Sequence, residues 1–269
     1  MNWFNVPFND LVYKYSDIDN KENGRCRSVT IQLTSECNLR CDYCYECHKE
    51  NKFMSQETID KVCDFLLNSI NKDDGFLGRE NLTGLIIDFI GGEPLLCIDE
   101  MEYIIDKLYF GIAKIRPELL PYLIFSISTN GLLVLTDKAK KFFKKYQNIL
   151  NISVSIDGIK ELHDAHRVDS NGNGSFDKAY EAFTYLKKTY GNVNNKMTFV
   201  PESIKYLKDS VIFLIKEGAP SIHCNFAYEP VYTYSDAANI YESLTSLSDF
   251  LIDTKSDVYV SILDDHILG

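Results

Sequence analysis

Short apolar runs alternate with longer amphipathic ones along most of this chain. The apolar runs, at 29–34, 85–90, 122–128, 152–156, 196–200 and 222–226, are rich in β-branched and aromatic residues and predict strands. Stretches with apolar positions three and four apart predict helices over 56–71, 99–114, 137–146, 176–189, 204–217 and 236–253. Ser55, with Thr58 after it, and Thr136 are suited to cap two of these helices, because a short oxygen side chain satisfies free amides at a helix start. Gly191 and Gly218 close two others.

A strand followed by a helix, six times over, predicts parallel strands joined by helical crossovers of one hand. The expected fold class is α/β, a partial (β/α)6 TIM-like barrel with parallel strands, and a doubly wound flat sheet is the competing architecture. Residues 1–28 precede the repeat as an N-terminal segment that adds an edge hairpin or packs under the barrel. The core runs over 29–230, and 231–269 holds a C-terminal helix and the start of an extension. Residues 71–83 and 169–174 read as polar loops.

Composition narrows the function. The chain is 45% hydrophobic and 25% charged, in the range of ordinary globular proteins, and its net charge of -11 opposes broad binding to nucleic acid or to an anionic membrane. The basic run at Lys138–Lys141 reads as a solvated helix face. Neither a long apolar span nor a secretory start is present, so a cytoplasmic protein without membrane or nucleic-acid partners is expected.

The eight cysteines are unevenly spread, with Cys37, Cys41, Cys44 and Cys47 crowded together, and in a reducing compartment that density favours metal over disulfide. Cys63, Cys97 and Cys224 lie in or beside apolar stretches and read as small core residues. Cys37, Cys41 and Cys44 follow the first strand directly. Thiolates suit zinc or an iron-sulfur cluster, and three of them leave one iron of a cubane open for chemistry. Cys41, Cys44 and Cys47 also read as the opening of a ferredoxin run, but the closing Cys-Pro is absent. Cys47 is read as a bystander, and a zinc site that recruits His48 is the other alternative.

Cys37-x-x-x-Cys41-x-x-Cys44, with aromatic Tyr43 before the last cysteine, resembles the signature of radical S-adenosylmethionine (SAM) proteins. The resemblance implies a [4Fe-4S] cluster on Cys37, Cys41 and Cys44 whose open iron is chelated by the amine and carboxylate of SAM. Reduction of that cluster would split the sulfonium to a 5′-deoxyadenosyl radical, with an electron donor such as flavodoxin or ferredoxin. Gly91-Gly92-Glu93-Pro94 after the second strand matches the family's GGEP tetrad; small residues admit a ligand to the backbone, and Glu93 is suited to an ammonium.

Ser128-Thr129-Asn130-Gly131 and Ser153-Val154-Ser155-Ile156-Asp157-Gly158 resemble family segments that line the ribose and methionine parts of the cofactor. Asn130 and Ser155 are the chosen hydrogen-bonding residues, with Asp157 in support. His163-Asp164-x-His166-Arg167, followed by Gly174-Ser175-Phe176, resembles members that act on peptides and proteins. Arg167 is suited to a bidentate grip on the cofactor carboxylate. His163 and His166 are read as solvated or helix-capping rather than as a metal pair. Glu202 and Glu229 fall on the rim, where they orient substrate, move a proton, or are surface charge.

The resemblance covers about 29–226 and lies nearest to SPASM-type maturases: enzymes that form thioethers in ribosomally made peptides, and anaerobic sulfatase-maturing enzymes. Those carry a cysteine-rich C-terminal extension for auxiliary clusters, whereas here only Cys224 follows Cys97. A portion of a longer enzyme, or one that works without auxiliary clusters, is expected. The implied function is hydrogen abstraction from a peptide or protein substrate, with thioether formation as the sharper form. The alternatives are a sulfatase-type maturase and a non-catalytic iron-sulfur protein.

Overall fold

The computed structural model describes residues 25–46, 49–72, 76–78 and 82–264 of the 269-residue chain. Cys47 and His48 lie outside the described residues, as does most of the N-terminal segment. Strands β1 (Arg25–Gln32), β2 (Leu82–Ile90), β3 (Leu123–Thr129), β4 (Leu150–Ser155), β5 (Asn194–Phe199), β6 (Ser221–Phe226) and β7 (Tyr259–Val260) are ordered in the sheet as they are in the chain. Helices α1 (Gln56–Ile70), α2 (Ile98–Ile115), α3 (Asp137–Tyr146), α4 (Lys160–His166), α5 (Phe176–Tyr190), α6 (Leu207–Lys216), α7 (Tyr234–Thr254) and α8 (Ser261–Asp264) lie between and after them. A doubly wound sheet reverses its order at a switch point, and no reversal occurs here. The consecutive parallel order is that of a partial β/α barrel.

Contacts divide the chain into two compact units. One gathers the described residues from Arg25 to Cys37 with those within 49–127 and 133–151. In it β2 pairs in parallel with β1 and with β3. Leu85, Ile87 and Phe89 of β2 are fully buried, and Phe89 stacks on Phe125 of β3 with centroids 6.1 Å apart. The α1 helix buries Ile59, Cys63, Leu66 and Ile70, one stripe of the three-to-four residue repeat. Ser55 caps it by accepting the Thr58 amide, and Thr136 caps α3 by accepting that of Ala139. Lys107 of α2 ties the two helices by pairing with Asp60 and Asp64 of α1, at 2.7 and 3.0 Å.

The other unit holds 38–46, 128–132 and the described residues from Ile152 to Asp264. Parallel pairs β4–β5, β5–β6 and β6–β7 set its register. A Cβ on Gly131 would touch Ala179, Ala182 and the Val154 side chain, which shows that Val154 faces α5. Because strand side chains alternate, Ser153 and Ser155 point to the opposite, helix-free side. That periodicity continues in β5, where Asn195, Met197 and Phe199 are buried while Lys196 and Thr198 are not.

The six expected strands and six expected helices are all present, with the short β7 and α8 in addition, and the main differences have local causes. β1 begins at Arg25, because pairing with β2 extends it through the polar Arg25–Ser28 run that carries no apolar signal. The helix expected over 204–217 is α over Leu207–Lys216 and 3-10 over Pro201–Tyr206, where Ser203 bonds to the Val200 amide and tightens the entry. Residues Lys160–His166 form an unforeseen helix, too short for periodicity to reveal. No helix among the described residues is long and apolar enough to cross a membrane.

Candidate active site

The expected site residues follow the carboxyl ends of parallel strands, the end at which barrels of this order carry their sites. In the first unit, the tetrad after β2 lies directly against the run that leads to Cys37. The Gly92 amide donates to Thr34 O at 2.8 Å and the Glu93 amide to Glu36 O at 2.9 Å. Gly91 has φ +150°, and a Cβ there would stand 2.4 Å from Thr34 O; one on Gly92 would stand 2.0 Å from Glu36 O. Only glycine permits this approach, so the tetrad holds the segment that enters the cysteine loop. Cys37 itself is buried. Glu93 is almost wholly buried, and its Oε1 accepts from the Leu95 amide at 3.0 Å, capping the 3-10 helix that starts at Pro94.

In the second unit, the rest of the cysteine loop is tied down from the far side of β4. Arg40 donates its amide to Val168 O at 2.7 Å and Asp42 donates to His166 O at 3.2 Å. Asp42 also faces His166 Nδ1 at 2.9 Å. The Cys44 amide donates to Cys41 O at 3.3 Å, which folds these two residues into one turn. Both thiols are half-buried. Asn130 donates through Nδ2 to Asn38 Oδ1 at 2.7 Å and accepts the Leu132 amide at Oδ1, so its side chain braces the loop's first residue.

Asp157 is the hub of this unit. It is 1% exposed and takes Arg167 Nε at 2.8 Å and Nη2 at 3.2 Å, the hydroxyl of Tyr43, and the Thr198 amide at 2.9 Å. Burial alone would raise its pKa, but the charge and hydrogen bonds of Arg167 outweigh that and hold the carboxyl below its ordinary range. The Arg167 guanidinium stands 5.4 Å from the Tyr43 ring centre, a cation–π contact from the cysteine loop itself. Burial, with the Asp157 charge adding to it and Arg167 opposing, pushes the Tyr43 phenol well up. Arg167 thus commits Nε and Nη2 to Asp157, so the two-pronged grip of its planar fork is spent on that carboxylate.

His163 departs from its expected role as a solvated or capping histidine: it is fully buried. Its Nδ1 accepts the Asp157 amide at 3.3 Å, its Nε2 lies 2.9 Å from Ser175 Oγ, and Ser175 donates to Arg167 O at 2.7 Å. Burial first, and then the Arg167 charge, hold the imidazole down to about 4. His166, half-buried beside Asp42, is separate from this relay. No local pattern marks the relay, since the partners of His163 lie six and twelve residues away.

Ser155 ends β4 on the helix-free side and is half-buried, beside Lys196 in register. Glu202 and Glu229 are exposed, in the 3-10 helix after β5 and in the loop after β6. Cys63, Cys97 and Cys224 are buried as expected, and burial pushes their thiols up to about 11, about 12 and about 12. Among the described residues, no three His, Cys, Asp or Glu side chains stand together in the geometry of a bound metal.

The family model described as the radical SAM superfamily matches residues 31–214. The chain belongs to that superfamily. Among relatives of this radical SAM chain, a cysteine-type anaerobic sulfatase-maturating enzyme of Clostridium novyi (strain NT) is 36% identical over 190 residues, covering 68% of this chain and 46% of that protein. A solved structure, native anSMEcpe with bound AdoMet and Kp18Cys peptide, superposes with TM-score 0.72 at 21% identity, over 89% of this chain and 64% of that one. Streptococcus suis SuiB bound to precursor peptide SuiA gives TM-score 0.59 at 14% identity, over 94% and 52%. These likenesses show the shared fold. The radical SAM chain spans less than two thirds of each of these proteins.

Proposed function

We propose that this chain is the catalytic core of a radical SAM enzyme that holds a [4Fe-4S] cluster on Cys37, Cys41 and Cys44, binds SAM, and abstracts hydrogen from a peptide or protein substrate. The observation that carries the reading is the bracing of the cysteine loop at both ends: Gly91 and Gly92 against 34–36 in one unit, Arg167, Asp157 and Tyr43 in the other. The donor set suits the group. Cys41 and Cys44 share one turn and are half-buried, whereas the buried thiols outside the loop resist ionisation. When bound, the cluster and SAM supply an electron and a sulfonium whose cleavage gives a hydrogen-abstracting carbon radical.

The chain's own residues bind and orient. Gly91 and Gly92 let the tetrad pack against the run into Cys37, and Glu93 is suited to the cofactor's amine beside its cap on Leu95. Ser155 is suited to the carboxylate, and Asn130 steadies the loop. Asp157 fixes the plane of the guanidinium, and the Tyr43 ring covers it. A flavodoxin or ferredoxin would deliver the electron, in the cytoplasm.

Peptide or protein substrates are favoured by the company the chain keeps, which includes sulfatase maturases and SuiB with its precursor peptide. Thioether formation in a ribosomal peptide is the sharper reading. Oxidation of a sulfatase residue is the second, favoured by the 36% identity to the Clostridium novyi enzyme. Anaerobic reconstitution, followed by incubation with SAM and a strong reductant, tests the core of the proposal. Formation of 5′-deoxyadenosine by the wild type and its loss in Cys41→Ala is the expected result; a preparation that takes up neither iron nor SAM refutes it.

A further inference from the structure

One side of β5 and β6 carries three hydrogen-bond donors, on Lys196, Thr198 and Asn225, that have no partner among the described residues. Lys196 and Thr198 project from β5 on the side opposite the buried Asn195, Met197 and Phe199. In register beside them on β6 stand His223 next to Lys196, and Asn225 next to Thr198. Lys196, Thr198 and His223 are half-buried, and Asn225 is exposed.

Among the described residues, no ion pair or hydrogen bond engages the Lys196 ammonium, the Thr198 hydroxyl or the Asn225 amide. Neither strand contains an acidic residue, although the protein as a whole carries a net charge of -11. Asp157, the acid beside Thr198, already serves Arg167, Tyr43 and the Thr198 amide. The Lys196 ammonium has no counter-ion among the described residues, and the neutral side chains of Thr198 and Asn225 stand on the same side of the two strands. Such a spot in an acidic protein attracts one anionic group and rejects cations.

We propose that Lys196, Thr198 and Asn225 form a subsite for a carboxylate of the substrate, flanked by His223, whose Nε2 stands 3.0 Å from Ser221 Oγ. A carboxylate fits better than a phosphate, because one cation and two neutral side-chain donors match one planar anion. This deepens the reading of a peptide or protein substrate and rests on it: the modified residue is presented close to an Asp, a Glu or a chain terminus. Lys196 neither supplies nor removes a proton in this role. It fixes where the anion lies.

Acetylation footprinting of Lys196 on the anaerobically reconstituted full chain, read by peptide mass spectrometry, tests the subsite. The probes are the blocked tripeptides acetyl-Ala-Glu-Ala-amide and acetyl-Ala-Gln-Ala-amide, SAM alone, and inorganic phosphate. The glutamate tripeptide should slow acetylation severalfold while the glutamine tripeptide, SAM and phosphate do not. Asn225→Leu and Thr198→Val should each raise the half-protecting concentration about five-fold, the weight of one hydrogen bond. Equal effects of the two tripeptides, no effect of either, or full protection in both variants overturns the proposal. Protection by SAM alone assigns the cluster to the cofactor, and protection by phosphate to a phosphate ligand; either overturns it too. Cleavage of SAM by the same preparation reports separately on the cofactor reading.

Discussion

His163 Nε2 stands 2.9 Å from Ser175 Oγ in a fully buried contact, and its other nitrogen already accepts the Asp157 amide. The Nε2 proton therefore points at Ser175, whose hydroxyl in turn donates to Arg167 O. A neutral imidazole thus locks the backbone of the two residues that form the buried ion pair.

This relay makes stability depend on pH. With its folded pKa held down to about 4 against an ordinary value of about 6.5, His163 binds its proton more readily in the unfolded chain. Its contribution is whole above pH about 6.5 and is lost as pH falls toward about 4, on the order of 3 kcal/mol. Urea unfolding across that window should show the slope in the wild type and a flatter profile in His163→Gln.

The Asp157–Arg167 pair should tolerate no half-removal. Asp157→Asn leaves a buried guanidinium without its counter-charge and should cost about 3 kcal/mol in urea unfolding at pH 7. Arg167→Lys should recover little of the lost stability relative to Arg167→Ala, because an ammonium cannot form the two-pronged contact. Equal stability of the lysine variant and the wild type would contradict the bidentate role.

Gly92→Ala places a methyl carbon 2.0 Å from the Glu36 carbonyl, and backbone cannot yield as a flexible side chain can. The run into Cys37 must shift. Iron bound per chain after reconstitution should fall by more than half, a change that Gly172→Ala, whose surroundings are open, should not produce.

Thiol reactivity should separate the cysteines into two classes. In metal-free protein at pH 8, iodoacetamide should label Cys41 and Cys44 well before Cys63, Cys97 and Cys224, which are buried and pushed up to about 11 or 12. Reconstitution should then protect the first class. Mass spectrometry of the labelled peptides gives the order directly.

The β/α rhythm, the caps at Ser55 and Thr136, and the family motifs were legible in the chain because each is a local signal. Periodicity places an apolar face, a hydroxyl caps amides within one turn, and three cysteines in one loop are close whatever surrounds them. The α4 helix and β7 escaped because neither is long enough to show a period, and β7 exists only as a partner for β6.

Local signals in the chain thus gave the α/β class, the succession of strands and helices and the thiols available for a metal, while the sheet order that separates a barrel from a doubly wound sheet came from the structure. Tertiary structure alone decided that Asp157 gathers Tyr43, Arg167 and Thr198 from three distant segments, that His163 is buried and neutral, and that Lys196 faces away from the helices without a counter-ion. The physical reason is range. Propensity and periodicity act over one or two turns of chain, whereas burial and charge pairing are set by whichever segments the sheet register brings side by side.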